Sequence, residues 1–122
     1  MAIRDDITRD DDFYTGEDKT LTVTVYQSDG TTPQNLTGWS LSYRWKRSPA
    51  DADSEAVLTK TTSSGIALTT PVSGICTVTV ADTDTDSLQP QTYYHELKRT
   101  DAGSETVLTT GTVVLQQALH RA

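Results

Sequence analysis

The chain has 122 residues, the size of one domain, and 17 Asp and Glu against 10 Lys and Arg leave it a formal charge of -7. That sign makes phosphate backbones poor partners and argues against nucleic-acid binding. The single cysteine, Cys76, excludes an intramolecular disulfide, and the lack of a long apolar run excludes a spanning helix, so packing alone must hold the fold.

The first residues, Met1-Ala2-Ile3-Arg4-Asp5-Asp6, are charged where a signal peptide would need an apolar stretch, which predicts synthesis in a reducing cytoplasm. Asp, Arg and Thr dominate residues 1–18, and apolar residues are few. This composition predicts an extended N-terminal arm that orders only against something else. Within it, Asp5, Asp6, Asp10, Asp11 and Asp12 would steer the arm to a basic surface, while Ile7, Phe13 and Tyr14 would supply apolar anchors. Carboxylates on a flexible arm are a poor preformed metal site, so electrostatic docking is the better reading.

From residue 19 the pattern changes. Leu21-Thr22-Val23-Thr24-Val25 and Cys76-Thr77-Val78-Thr79-Val80 alternate apolar residues with threonine, the period of a half-buried strand. Strands are expected at 19–27, 39–47, 55–62, 66–69, 75–81, 92–99 and 105–116, with Gly- and Pro-containing turns between them. Trp39, Leu41, Tyr43 and Trp45 share one face of the second strand, opposite Ser40, Ser42, Arg44 and Lys46, so it belongs in the centre of a sheet. Gly111, inside the last strand, predicts a bulge or a close backbone approach. Leu88-Gln89-Pro90-Gln91-Thr92-Tyr93 has the form of a tyrosine corner, with Leu88 and Pro90 leading into Tyr93; Tyr94 is the alternative corner residue. About seven such strands and this corner predict an all-β sandwich, immunoglobulin-like or fibronectin III-like, over residues 19–122.

Chemistry-bearing patterns are few. Asp82-Thr83-Asp84-Thr85-Asp86 opens like a calcium loop, but Ser87 and Tyr93 stand where that loop needs Gly and Glu, so a capped turn is expected. His95, His120 and Cys76 fall in no zinc spacing. Cys76 alternates with Val78 and Val80, the position of an inert buried thiol. Asn35-Leu36-Thr37 matches a glycosylation sequon, which has no role without secretion. No catalytic constellation, metal site or cofactor motif is expected, and a non-catalytic binding or structural module remains.

Asp18-Lys19-Thr20-Leu21, Gly30-Thr31-Thr32-Pro33-Gln34-Asn35-Leu36-Thr37-Gly38-Trp39, the Asp84-to-Tyr93 corner, and Gly103 followed by Val107-Leu108-Thr109-Thr110-Gly111-Thr112-Val113 occur in that order. Together they resemble the immunoglobulin-like N-terminal domain of phage baseplate upper proteins and related head-fibre and decoration domains. The resemblance implies a virion structural protein, made in the host cytoplasm and oligomeric in the particle. Its partners would be capsid, tail or baseplate subunits, with no nucleic acid and no membrane. Since no fibre or receptor-binding region follows Ala122, capsid decoration or a small tail or connector role is expected ahead of an adhesin. A carbohydrate or host-surface binding module of a phage tail is the alternative.

Overall fold

The computed structural model describes residues 2–5 and 9–119, with side chains from Phe13 onward. Alternation decides which side of each strand is buried. In β3 (Lys19–Tyr26) Leu21, Val23 and Val25 point inward and Thr20, Thr22 and Thr24 outward; in β7 (Ile75–Val80) Cys76, Val78 and Val80 are buried. Nine strands form among the described residues: besides these, β1 (Ala2–Asp5), β2 (Arg9–Tyr14), β4 (Leu41–Lys46), β5 (Leu58–Thr61), β6 (Ile66–Thr70), β8 (Thr92–Arg99) and β9 (Thr106–Gln116). They make a four-stranded sheet of order β1-β3-β7-β6 and a five-stranded sheet of order β2-β9-β8-β4-β5. The inward residues of both sheets join in one apolar core, so the architecture is a β-sandwich.

The seven strands expected from residue 19 onward all form. Their ends differ where local polar chemistry competes. β4 begins at Leu41 because Trp39 N–H donates to Leu36 O, holding Trp39 in a turn while Arg99 stacks over its ring at 4.0 Å. β5 begins at Leu58 because Asp53–Glu55 forms a 3-10 turn in which Glu55 Oε1 accepts the Ala52 N–H. The β8–β9 ladder carries one bulge, and it falls at Leu108 rather than at Gly111: Leu97 pairs with Thr109, Lys98 with Val107, and Gly111 sits in regular register with His95. Leu108 is buried, so the extra residue lets an apolar side chain turn into the core near the strand's start.

The described parts of residues 1–18, namely 2–5 and 9–18, depart from the expected separate arm, because both strands in them pair with the sandwich; residues 1 and 6–8 lie outside the described residues. β1 pairs antiparallel with β3, Ile3 opposite Val25, at one edge of the four-stranded sheet; β2 pairs parallel with β9, Phe13 opposite Leu115, at one edge of the five-stranded sheet. Phe13 is fully buried, packed edge-on against Trp45 with centroids 5.0 Å apart, and Lys19 Nζ lies 4.8 Å from its ring centroid. A segment with so little apolar surface is held because it needs only one large anchor, while the sheets' edges supply its backbone hydrogen bonds.

The core is aromatic at its centre. Trp39, Leu41, Tyr43, Trp45, Val78, Val80, Tyr93, Leu97 and Val113 are all buried. Trp45 Nε1 donates to Tyr43 Oη at 2.8 Å, and Tyr43 Oη meets His95 Nδ1 at 2.7 Å, so these three polar atoms form a hydrogen-bonded chain inside the core. β5 is also tied to the connection between β7 and β8 by the half-buried pair of Lys60 Nζ and Asp84 Oδ2, at 2.8 Å. Among the described residues no helix is long and apolar enough to cross a membrane.

Candidate functional site

Of the residues expected to dock a partner, the structure separates one from the rest. Phe13 is a core residue and has no surface to offer. Its neighbour Tyr14 faces outward at 38% exposure, because successive strand residues point to opposite sides. Asp10, Asp11 and Asp12 lie on β2, and Asp5 on β1; the side chains of these four fall outside the described residues, as do Asp6 and Ile7 entirely. Among the described residues β2 has β9 on one side and no strand on the other, so its second row of backbone groups is open to a neighbour. Beyond Tyr14 the chain is tied down again: Thr15 N–H donates to Gln116 O at 2.9 Å, and buried Thr15 Oγ1 accepts from Ala118 N–H.

The corner residues come together as a structural unit. Tyr93 is buried and its Oη donates to Gln89 O at 2.7 Å, which selects Tyr93 over Tyr94 as the corner tyrosine. Leu88 packs against the core from the preceding turn, and Pro90 is exposed between them. Tyr93→Phe is expected to lower stability by about 1 kcal/mol, the net worth of one such bond. Denaturant unfolding would measure it, with Tyr94→Phe unchanged as the control.

The Asp82-to-Asp86 run forms a short helix, α1 (Asp82–Thr85). Asp84, Thr85 and the Asp82 amide are committed to the chain itself. Asp84 Oδ2 accepts the Ala81 N–H at 2.7 Å and also pairs with Lys60, Thr85 Oγ1 accepts the Gly16 N–H, and Asp18 Oδ1 accepts the Asp82 N–H. The run therefore joins the turn after β2 to the turn before β8. Among the described residues no three His, Cys, Asp or Glu side chains converge as a cation site.

Cys76 is fully buried on β7, and burial pushes its thiol from 9.0 up to about 11. The thiolate is the form excluded, so the contribution is intact below the unfolded value near 9 and is lost as pH rises toward 11. Each tenfold change in an acid dissociation constant corresponds to about 1.4 kcal/mol. Chemical unfolding followed from pH 8 to 11 is therefore expected to fall more steeply for the wild type than for Cys76→Ala.

The outer face of the five-stranded sheet holds a feature that sequence reading missed. Cross-strand register sets two rows over three strands: Lys46, Tyr94 and Thr112 in one, Arg44, Glu96 and Thr110 in the other. The loop after β4 folds over their end, and Pro49 and Asp53 complete a trough of about 370 Å³. Asp53 reaches Lys46 Nζ at 2.8 Å and Arg44 Nη1 at 3.3 Å. The hydrogen bond from Lys46, with the charge of Arg44 behind it, holds the Asp53 carboxyl below the ordinary carboxylate range. Gly111, in register with His95, lies between Thr110 and Thr112 in the lining. The alternation of Arg44 with Lys46 and of Tyr94 with Glu96 was legible in the sequence; their convergence depended on strand order.

Comparison with known proteins yields no family, since no protein-family model and no curated protein matches the chain.

Proposed function

We propose that the chain is a non-catalytic, immunoglobulin-like structural module of a bacteriophage particle, which docks on neighbouring virion subunits along the open edge of β2. The strand order supports the immunoglobulin-like part. β1-β3-β7-β6 facing β9-β8-β4 follows the arrangement of strands A, B, E and D against G, F and C, with β2 and β5 added at the two edges. Trp45 buried on the third of those strands and the Tyr93 corner opening the sixth fit the same plan. The phage setting rests on the resemblance of the turn sequence.

The observation that carries docking is the position of the acidic segment. Phe13 pins β2 to the core while Asp10, Asp11 and Asp12 lie along an unpaired edge that ends on exposed Tyr14. An edge strand offers a row of backbone groups for β-augmentation, and carboxylates along it keep copies of an acidic chain apart while favouring a basic partner surface. The test is a variant with Asp10, Asp11 and Asp12 changed to Asn and Tyr14 changed to Ala. It is expected to fold with an unfolding midpoint close to that of the wild type and to fail to join particles assembled without the native copy. Normal incorporation would overturn the edge-docking reading.

A further inference from the structure

The trough on the five-stranded sheet has an uneven pattern of commitment. Arg44 and Lys46 are satisfied by Asp53. The Glu96 carboxylate, although in register beside Arg44, has no hydrogen bond or ion pair among the described residues, and neither the Tyr94 hydroxyl nor the Thr110 and Thr112 hydroxyls have one. Tyr94 is 40% exposed at the centre of this face. A surface aromatic ring beside an unpaired carboxylate and two hydroxyls is a set of groups with nothing of the protein's own to bind.

Their chemistry selects the ligand. The two cations and two carboxylates of the lining balance, so the trough offers no net field to a charged group, and a phosphate or a free carboxylate gains little there. An array of acceptors and hydroxyls around one aromatic ring matches a molecule that has many hydroxyls on its rim and C–H groups on its face. Neighbouring strands lie about 4.8 Å apart, and residues two apart along a strand about 6.7 Å apart, so one pyranose ring spans the groups of both rows. The volume is near the lower bound of ordinary small-molecule sites, enough for one or two such rings.

We propose that this trough binds a neutral hexopyranose unit of a glycan. The sugar stacks on Tyr94, the Glu96 carboxylate accepts two vicinal hydroxyls, and Thr110 and Thr112 complete the rim. The inference goes beyond particle docking and involves different residues. Because it is tested on the isolated protein, its failure and the failure of edge docking are separable.

The experiment is a titration of the full chain, followed by amide and side-chain NMR shifts, with the methyl glycosides of glucose, galactose, mannose and N-acetylglucosamine and with maltotriose and cellotriose. Saturable shifts confined to Tyr94, Glu96, Thr110, Thr112 and their neighbours are expected for at least one of these sugars, with a millimolar Kd, as a shallow site on one face of a sheet allows. Tyr94→Ala and Glu96→Gln should each weaken it by about tenfold or more, the loss of one stacking or charge-assisted contact. Both side chains are solvent-facing, so the unfolding midpoints of these variants serve as the control for folding. No saturable shift at these residues with any of the six sugars overturns the proposal, as does undiminished binding by folded Tyr94→Ala.

Discussion

Trp45→Ala is expected to destabilise the protein by about 3–5 kcal/mol, the range for removing a fully buried large aromatic side chain. Trp45 has no exposed surface; it stands edge-on to Phe13 at 5.0 Å, lies 5.6 Å from Tyr93 at a shallow angle, and donates its Nε1–H to Tyr43 Oη. The truncation empties the middle of the core and removes the donor to Tyr43 as well. Since domains of this size are stable by only about 5–15 kcal/mol, much of the reserve would be lost. Denaturant unfolding monitored by circular dichroism measures the change. A midpoint equal to that of the wild type would contradict the inward placement of this strand's aromatic residues.

Phe13→Ala is the second large effect, and it separates an integral strand from an appended arm. If β2 belongs to the sheet, removing its one large buried anchor costs about 3–5 kcal/mol, whereas Tyr14→Ala on the outward side costs well under 1 kcal/mol. If residues 1–18 were independent of the sandwich, neither change would move the unfolding midpoint. Because Phe13 and Trp45 touch, the double variant should lose less than the sum of the two singles, and that shortfall measures their contact on the inner face of the five-stranded sheet. Protein expressed from Lys19 onward should be strongly destabilised for the same reason.

What the sequence made legible follows from how far each signal reaches. β3, β4, β7 and β8 could be read directly because their alternation is local: each inward residue is two positions from the next, and turn chemistry closes each run. Gly74 is an instance: the turn Pro71-Val72-Ser73-Gly74 needs a left-handed residue, and at φ +74° a side chain there would collide with Val25 O. The corner was legible for the same reason, since Tyr93 and Gln89 are four residues apart and the inward position of Tyr93 follows from Leu97.

β1 and β2 were not legible. Asp is among the poorest strand formers, and Arg9-Asp10-Asp11-Asp12 has no period-two apolar pattern. Only Phe13 marks β2, and a lone aromatic after an acidic run reads equally as an anchor for a partner. What holds the segment is the backbone of β9, more than ninety positions away, and no local pattern reports a long-range pairing. The trough escaped for a related reason. Its groups come from β4, β8, β9 and the loop after β4, and they converge only once those strands are placed side by side in the right register.

That the N-terminal segment is built into the sandwich and presents an acidic edge to a neighbour is tested most directly by amide hydrogen exchange of residues 9–15, in the free protein and in particles that contain it. The prediction is protection in the free protein for the amides that pair with β9, joined in the particle by protection of the outward-facing amides of the same strand. Exchange at unfolded rates throughout residues 9–15 in the free protein, or identical exchange in the two states, would contradict it.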